Sequence, residues 1–440
     1  MIMENSKKIL RGKYLLTMDE DNSILENGGL MIEGDRIVEV GDGTELSAKY
    51  PDADLLAEEH GLIMPGLVNT HTHAAMSCFR GLVDDLPLMQ WLQEYIFLRE
   101  AQLSGEIVYH SSLLSICEMI KSGTTSFCDM YLFASDVARA AEESGMRAWV
   151  GEVLYDFPSP NYGDLENGFS YMDTLFAEYE NHELLTITVN PHAVYTCSPE
   201  LLTRLGKVAR ERNAVYHIHL SENRDEVEIC RQRYGCSPVK HLEQLGLLND
   251  RVLAAHCVQL CDDEIALLVK KGVKVAHCQE SNMKLASGTA PVVKMLEAGV
   301  CVGIGTDGSA SNNDVDMFGE MNTVAKIHKV ARMDPTAMNA ATTLRAATMG
   351  GAGTLRVETI IGSLEPGKKA DVIVLDLNKP HLTPIYNPVS HLVYAARGGD
   401  VVHSIINGQL VMRNRKIETI DEQAVLAEME KIGRVIQDMK

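Results

Sequence analysis

The sequence lacks long apolar runs and lacks runs of basic residues. No window approaches the roughly 18 consecutive apolar residues of a membrane-spanning helix, so we expect no span and no membrane partner. The formal net charge is −21 at pH 7, and without a basic stretch the chain has no segment suited to neutralising phosphates. These two absences exclude a membrane and nucleic acid as expected partners.

The cysteines lack paired spacing. All ten are scattered along the chain without a CxxC motif, and the opening segment MIMENSKKILRGKYLL lacks the apolar centre of a signal peptide. Cysteines in a chain without an export signal are expected to be reduced and mostly buried. We therefore expect a cytoplasmic protein with free thiols.

What the sequence does contain is one pattern repeated from residue 67 to about residue 308. A short apolar run is followed by a turn and by a stretch with apolar residues at helical spacing. The apolar runs are 67–70, 124–130, 148–154, 184–190, 214–220, 252–258, 273–278 and 300–307. Eight strands alternating with helices predict an α/β fold, the (β/α)8 TIM barrel. The alternative, a doubly wound open sheet, usually has a glycine-rich phosphate turn after its first strand, and this chain has none.

Both ends of the chain have the pattern of β-structure. Residues 9–60 contain alternating apolar stretches, and Asn407-Gly408 is a strong signal for a tight hairpin turn. We expect residues 1–66 and 355–440 to form a small composite β-sandwich domain with a C-terminal helix. The metal-dependent barrel is then inserted between them, over residues 67–354.

Polar residues gather at the ends of the predicted barrel strands, where barrels of this type carry their catalytic groups. His71 and His73 are two residues apart, so both point to one face of a strand. His217 and His219 share a face in the same way, and either could be a ligand by this criterion alone. We prefer His219, because an acid/base group, Glu222, follows it. The full set at the strand ends is His71, His73, His192, His217, His219, His256, His277 and Asp307.

Three imidazoles and a carboxylate, from His71, His73, His219 and Asp307, are nitrogen and oxygen ligands suited to zinc or a similar divalent metal. A two-metal site is the nearest rival, and it often uses a carboxylated lysine at the end of the fourth strand. No lysine occurs between residues 122 and 206. We therefore expect one divalent ion, Zn²⁺, with Fe²⁺ as the alternative.

A metal of this kind activates water for hydrolysis. We expect Asp307 to accept the proton of the attacking water. Glu222 would protonate the substrate and carry protons to the leaving group. His256 would orient the nucleophile or stabilise the developing negative charge. The catalytic residues predicted from the sequence are therefore Glu222, His256 and Asp307.

Five motifs together resemble the amidohydrolase superfamily: PGLVNTHTH, HIHLSEN, AAHC, VAHCQESNMKLASGTAPV and GTDGSASNN. Within it the chain resembles the branch of triazine hydrolases and adenosine-type deaminases, and most of all the 5-methylthioadenosine/S-adenosylhomocysteine deaminases. The resemblance extends over essentially the whole chain and implies the same four metal ligands. The chain departs from the family pattern HCPxSN at one position, because its own segment reads HCQESN, with Gln279 in place of the proline. The resemblance also implies substrate contacts from Glu100, His192, Glu222 and Asp307.

The resemblance implies hydrolytic deamination of the 6-amino group of a 5′-modified adenosine, giving the inosine analogue and ammonia. The expected substrates are 5-methylthioadenosine, S-adenosylhomocysteine, 5′-deoxyadenosine and adenosine, and homo-oligomers are common in this family. The alternative is hydrolysis of another aminated or halogenated heterocycle, such as a triazine, a pterin or a guanine-like base. A catalytically inactive scaffold is disfavoured, since every ligand and the proton shuttle are present.

The segment after the third strand bears on substrate choice. No lysine or arginine occurs between Ala148 and Thr203, and Glu152 stands where a cation would bind a substrate carboxylate. Arg80, from another loop, is the alternative cation. On this reasoning the uncharged 5′-modified adenosines are preferred over S-adenosylhomocysteine.

Overall fold

A computed structural model of the chain describes residues 7–439 and confirms the expected fold class. Residues 1–6 and 440, which belong to the expected β-domain, lie outside the described residues. The strands are β1 Lys7–Leu16, β2 Ile24–Glu26, β3 Gly28–Glu33, β4 Arg36–Asp42, β5 Asp54–Pro65, β6 Leu67–Thr72, β7 Thr124–Tyr131, β8 Arg147–Leu154, β9 Leu185–Ile187, β10 Asn190–Pro191, β11 Tyr216–Leu220, β12 Val252–His256, β13 Lys274–His277, β14 Val302–Ile304, β15 Val372–Asp376, β16 Val401–Ile406, β17 Gln409–Arg413 and β18 Lys416–Ile417.

Helices connect the barrel strands and close the chain. They are α1 Gly43–Lys49, α2 Leu88–Trp91, α3 Phe97–Glu100, α4 Gly105–Lys121, α5 Ala134–Ser144, α6 Leu165–Glu178, α7 Pro199–Glu211, α8 Arg224–Tyr234, α9 Pro238–Gln244, α10 Asp262–Lys271, α11 Gln279–Lys284, α12 Val292–Ala298, α13 Met317–Arg332, α14 Ala340–Arg345, α15 Gly351–Thr354, α16 Pro388–Tyr394 and α17 Glu422–Asp438. Short 3-10 or π segments lie at Ala74–Phe79, Leu92–Ile96, Ala346–Gly350, Pro380–Leu382 and Gly398–Asp400.

The barrel consists of two parallel half-sheets. One contains β6, β7 and β8 in order, with β9 and β10 both paired to β8, and the other contains β11 to β14 in order. The expected fourth strand is therefore interrupted. Parallel bridges from Val189 to Tyr216 and from Ala193 to His219 join the halves on one side. On the other side, the Asp307 amide donates to the His71 carbonyl oxygen at 2.9 Å, and this bond brings the last barrel strand to the first.

Gly305 explains how the last strand comes so close to the first. A Cβ atom on Gly305 would lie 2.7 Å from the backbone nitrogen of His71, closer than real Cβ contacts. Only a residue without a side chain fits this approach. Gly305, the second glycine of GIGTD, therefore allows Asp307, two residues later, to lie beside His71.

Glycines end several barrel helices, as the sequence predicts. Gly145, Gly272 and Gly299 cap α5, α10 and α12 with φ angles of 73°, 70° and 94°. Gly123 follows α4 with a φ of 85°. This left-handed conformation ends a helix and turns the chain directly into the following strand.

The two chain ends form one sheet of nine strands. β5 pairs with β1 in parallel and with β15 antiparallel, so N-terminal and C-terminal strands are continuous. The predicted turn at Asn407-Gly408 is confirmed and joins β16 to β17. A bridge from Arg36 to Lys369 brings the β4 edge back towards the start of β15. The sheet thus curls around an apolar core of its own: Leu10, Leu15, Leu30, Ile32, Ile37, Ile63, Leu364, Ala370, Val372, Val374 and Ile405.

A buried ion pair joins this sheet to the barrel. Arg147, at the start of β8, donates from Nε and Nη2 to the two carboxylate oxygens of Asp371, at 2.6 and 3.1 Å. The Nη2 atom also donates to Asn407 Oδ1 at 3.2 Å. Paired parallel hydrogen bonds of this kind are among the strongest in proteins. Arg147 therefore fixes the sheet against the amino-terminal end of a barrel strand.

The structure bears on the cysteines and on the expected absence of a membrane span. The ten cysteines are free thiols, six of them buried. Within residues 7–439, no helix has both the length and the apolar character that crossing a membrane requires.

Candidate metal centre and substrate cavity

Three imidazoles and one carboxylate converge at the carboxyl end of the barrel. His71 and His73 lie at the end of β6, His219 lies on β11, and Asp307 follows β14. The Nε2 atom of His73 lies 3.3 Å from Nε2 of His219 and 3.1 Å from Oδ1 of Asp307. The Nε2 atom of His71 lies 3.3 Å from the same oxygen. The structure thus brings all four predicted ligands together.

Backbone carbonyl groups determine which ring nitrogens face this cluster with a lone pair. The Nδ1–H of His73 donates to the carbonyl oxygen of Met130 at 2.5 Å, and that of His219 donates to the carbonyl oxygen of His192 at 2.9 Å. In each neutral ring the lone pair is therefore on Nε2. When both rings are neutral, as metal ligands are, their lone pairs face each other across 3.3 Å, which is repulsive unless a cation lies between them.

The four converging side chains have the chemistry and the spacing that a divalent metal ion requires. Among the described residues, neither His71 Nε2 nor Asp307 Oδ1 has a hydrogen-bond partner, although both atoms are buried. Such an orphaned group usually costs about 1–3 kcal/mol. Ligand atoms about 2.0–2.1 Å from a tetrahedral zinc ion lie about 3.3–3.4 Å apart. The separations of 3.1–3.3 Å match this spacing.

His217 lies behind His71 and does not face the cluster. Its Nε2 atom lies 2.8 Å from Nδ1 of His71, and its Nδ1 atom lies 3.5 Å from the sulfur of Cys128. For His71 to present a lone pair at Nε2, its Nδ1–H must donate to His217. His217 is therefore placed to hold the tautomer and orientation of His71. Of the two histidines that share a face of β11, His219 is the one beside His73.

Two serines orient the carboxylate of Asp307. Ser281 and Ser311 donate to its Oδ2 atom at 2.6 and 2.7 Å, which leaves Oδ1 directed at the histidines. Burial alone would raise the pKa of Asp307, but the neighbouring rings of His71 and His73 lower that pKa well below its usual value. Asp307 is therefore a carboxylate. Both serines stand inside motifs visible in the sequence, but their partner could not be read from it.

Several residues at the ends of barrel strands have left-handed backbone conformations, including three near the metal cluster. The φ angles are 52° for Ser221, 69° for His256 and 62° for Asp307. Non-glycine residues rarely adopt such angles, and those that do cluster at functional sites, where surrounding contacts hold them. The chain turns sharply at the ends of β11, β12 and β14, next to the metal cluster.

Glu222 and His256 form a second pair beside the cluster. The Oε2 atom of Glu222 lies 4.0 Å from Nε2 of His256. Burial raises the pKa of Glu222, while the nearby His256 partly lowers it. Glu226 holds the loop in place, because its carboxylate accepts the amides of Ser221 at 3.0 Å and Glu222 at 2.7 Å. Glu222 is thus a fixed carboxyl group that retains a proton at higher pH than an exposed one.

The other ring nitrogen of His256 contacts Asn282. Its Nδ1–H donates to Asn282 Oδ1 at 2.9 Å, so in the neutral ring Nε2 is the acceptor, and the ring lines the cavity. Asn282 belongs to the HCQESN motif, three residues after the Gln279 departure. The replacement of the family's proline by Gln279 therefore leaves the contact between His256 and Asn282 in place.

A cavity lies over the cluster. The helical segment 88–100 forms one wall, and its central turn, Leu92–Ile96, is a π-helix, a feature often found at functional sites. Mostly apolar walls with a few polar groups are typical of small-molecule sites. The apolar residues are Met76, Leu88, Trp91, Leu92, Ile96, Phe97, Met130, Leu132, Val153, Tyr155 and Leu285. The polar ones are His73, Glu100, Tyr131, His192, Tyr195, His219, Glu222, His256, Asp307 and Ser311.

Glu100 and His192, implied by resemblance alone, both line this cavity. Burial raises the pKa of Glu100 to about 7, although Tyr131 and His73 lower it. Burial lowers the pKa of His192 to about 3, so its ring is neutral. Its Nδ1 atom lies 2.8 Å from Thr196 Oγ1. Because the Thr196 hydroxyl donates to a backbone carbonyl at 3.2 Å, Nδ1 is the donor and Nε2 an acceptor.

Three residues that the sequence analysis considered for the site do not line the cavity. His277 does not line the cavity; its Nε2 lies 3.0 Å from Nε2 of His328 on α13. Glu152 does not line it either, because its carboxylate accepts the Ala134 amide at 2.8 Å and the Asn161 side chain at 3.0 Å. Arg80, the alternative cation, is paired with Glu118. A strand-end position alone does not determine the direction of a side chain.

The sequence matches the amidohydrolase family over residues 62–411. A 5-methylthioadenosine/S-adenosylhomocysteine deaminase of Syntrophobacter fumaroxidans is 52% identical over 429 residues, which cover 98% of each chain. A 5′-deoxyadenosine deaminase of Methanosarcina mazei is 45% identical over 426 residues, which cover 96% of each chain.

Solved structures agree with this match. An adenosine deaminase from Xanthomonas campestris with bound zinc has a TM-score of 0.96 and 36% identity, covering 98% of this chain and 99% of that one. An atrazine chlorohydrolase from Arthrobacter aurescens complexed with zinc has a TM-score of 0.90 and 24% identity, covering 97% and 100%, and shows a shared fold. Since the family match extends over most of the sequence, and relatives align over nearly their full length, the chain belongs to the amidohydrolase family, whose members are metal-dependent hydrolases.

Proposed function

We propose that this protein is a metal-dependent deaminase that hydrolyses the 6-amino group of 5′-modified adenosines, giving the inosine analogue and ammonia. One observation carries the proposal. Three imidazole nitrogens and one carboxylate oxygen converge beside a buried acid, Glu222, at the base of one cavity. Relatives named for this activity, at 45–52% identity over nearly the whole chain, support the substrate class.

His71, His73, His219 and Asp307 would hold one divalent ion, and the zinc bound by the Xanthomonas campestris relative supports Zn²⁺. The metal, when bound, supplies a water that is nucleophilic at neutral pH. Asp307 is suited to accept a proton, because two serines fix its second oxygen and leave Oδ1 directed at the cluster.

Glu222 and His256 have separate tasks in this proposal. Glu222 has a raised pKa, so it can hold a proton, give it to the substrate ring and later move protons to the departing ammonia. The Nε2 atom of His256 is an acceptor, and it would orient the attacking water by accepting one of its hydrogens.

Glu100 and His192 would position the nucleoside. The carboxylate of Glu100 can accept hydrogen bonds from two ribose hydroxyls, one at each oxygen. The Nε2 atom of His192 can accept a further hydrogen from the substrate. The apolar walls of the cavity would exclude bulk water around the base.

A substrate panel tests the function. Purified protein would be offered 5-methylthioadenosine, 5′-deoxyadenosine, adenosine, S-adenosylhomocysteine, a triazine and a pterin, with ammonia release and ultraviolet absorbance recorded. We expect ammonia from the 5′-modified adenosines. Hydrolysis of the triazine or the pterin without turnover of any adenosine would contradict the proposal.

The ligand assignment has its own test. Asp307→Ala or His71→Ala should abolish activity and stoichiometric metal binding, because each removes one of the four ligand atoms. Circular dichroism would show that the fold is kept. A variant that retains even about a tenth of the activity would contradict the assignment, since acid–base and metal-site groups usually contribute at least about 100-fold.

A further inference from the structure

Two backbone carbonyl groups orient ligands of the candidate metal centre, and they belong to different strands. Met130, on β7, accepts from Nδ1 of His73, and His192, just after β10, accepts from Nδ1 of His219 at 2.9 Å. The position of a backbone carbonyl group depends on what holds its strand in place. The geometry of the two ligands therefore depends on how the ends of β7 and β10 are held together.

The side chain of Asn190 connects these strand ends. It is fully buried, and its Nδ2 atom donates to the carbonyl oxygen of Asp129 at 3.1 Å and to that of Gly151 at 2.8 Å. Asp129 directly precedes Met130 on β7, and Gly151 lies on β8. Asn190 itself lies on β10, two residues before His192. One amide group thus links three strands, within two residues of both carbonyl acceptors.

The residues around Asn190 leave room for this contact and need for it. A Cβ atom on Gly151 would lie 2.6 Å from Nδ2 of Asn190, so glycine is what lets the amide approach β8. The next residue of β10, Pro191, has no backbone N–H to donate to a neighbouring strand. The Asn190 side chain therefore supplies two cross-strand hydrogen bonds beside a residue whose main chain donates none.

The acceptors of Asn190 determine which way its amide group faces. Turned by half a revolution, the group would place Oδ1 against two carbonyl oxygens, which would repel it. In the observed orientation Oδ1 is buried and has no hydrogen-bond partner among residues 7–439. An unpaired buried oxygen is unfavourable, so the contribution of this amide lies in the two hydrogen bonds that it donates.

We propose that Asn190 is a positioning residue for the metal site. By fixing β10 to β7 and β8, its amide holds the carbonyl groups of Met130 and His192 in place. Those carbonyl groups keep Nε2 of His73 and Nε2 of His219 directed at the metal, 3.3 Å apart. The proposal rests on the metal site of the proposed function. It assigns to that site a residue that is not a ligand and does not line the substrate cavity.

Asn190→Leu tests the proposal, because leucine has a similar branched shape and no N–H groups. Zinc affinity would be determined by titration against a chromophoric chelator, and the thermal midpoint of the metal-free protein would be recorded beside it. We expect zinc affinity to fall about tenfold, the low end for partners outside the ligand shell, because Asn190 acts through two carbonyl groups. With Co²⁺ in place of zinc, the visible absorption bands, which depend on ligand geometry, should shift.

Asn322→Leu is the matched control. The Asn322 amide also donates to two backbone carbonyl oxygens, those of Val393 at 3.0 Å and Tyr394 at 3.2 Å, but it joins α13 to α16 in the outer helix layer. This variant should lower the thermal midpoint and leave zinc affinity and the Co²⁺ spectrum at their wild-type values.

Asn190→Ala is a second variant, which removes the same hydrogen bonds without requiring space for leucine, and it should weaken zinc binding to a similar degree. If the folded variants bind zinc as tightly as the wild-type protein and keep its Co²⁺ spectrum, or if neither variant folds, Asn190 has a general structural role and the proposal is overturned. The deaminase function is untouched by that result. If the wild-type protein binds no stoichiometric zinc or cobalt, the metal site fails, and the role of Asn190 fails with it. If the wild-type protein binds metal but deaminates no adenosine, the proposed activity fails, and the zinc affinities still decide the role of Asn190.

Discussion

Replacing His217 tests whether hydrogen bonds behind the ligands hold the metal site together. His217 is fully buried and accepts from Nδ1 of His71 at 2.8 Å. In His217→Leu the Nδ1–H of His71 loses its acceptor, so the ring can rotate or change tautomer. Metal affinity should fall about 10- to 100-fold, the usual contribution of such a partner. This corresponds to about 1.4–2.8 kcal/mol at 25 °C.

Two further variants make this prediction specific. The side-chain oxygen of His217→Gln can accept the same hydrogen bond, so it should recover most of the affinity. His219→Ala removes a proposed ligand and should bind metal more weakly than His217→Leu. Zinc dissociation constants would be measured by competition with a chromophoric chelator, with circular dichroism as the check on folding.

Either of two results would refute the reasoning. If His217→Leu binds zinc as tightly as the wild-type protein, the contact with His71 contributes nothing to the site. Alternatively, His219→Ala could keep stoichiometric zinc while His217→Leu loses it. The two histidines of β11 would then have the opposite roles.

Three other perturbations address acid–base chemistry, substrate binding and stability. Glu222→Gln should lower kcat by about 10²–10⁴-fold with metal still bound; loss of metal would make Glu222 a ligand. The pKa of Glu100 is raised to about 7, and the carboxylate that accepts ribose hydroxyls is lost as pH falls through that value. KM should therefore rise below about pH 7 and lose this dependence in Glu100→Gln, whereas a flat wild-type KM profile would contradict the role. Asp371→Asn leaves Arg147 buried without its counter-charge and should destabilise the protein by about 3–5 kcal/mol, seen as a lower thermal midpoint. Arg212→Met, which breaks an exposed pair, should shift the midpoint little, and equal shifts in the two variants would argue against a special role for the buried pair.

Local sequence pattern was sufficient to predict the barrel. Each barrel strand is covered on both faces, so it appears as a short continuous apolar run, and all eight predicted runs contain strand residues. Glycines such as Gly145 and Gly272 end the helices between them, because they alone adopt the left-handed cap without strain. The HTH spacing of His71 and His73 was equally informative, since side chains two apart on a strand share a face.

Local pattern could not rank the histidines of one strand. His217 and His219 share a face of β11, and their difference is depth along the barrel axis. That depth is set by pairing: His219 lies level with Ala193 and Ala255 of the neighbouring strands, at the rim. His277 also ends a strand, but its ring contacts His328 on the outer helix layer. Register and helix packing are properties of the assembled barrel.

The lining of the substrate cavity was decided by tertiary structure alone. Glu100, His192 and Glu222 follow different barrel strands, yet all three line one cavity. No local signal in the sequence connects them. Closing the barrel brings the carboxyl ends of all its strands to one rim, so a site built there draws on residues far apart in the chain.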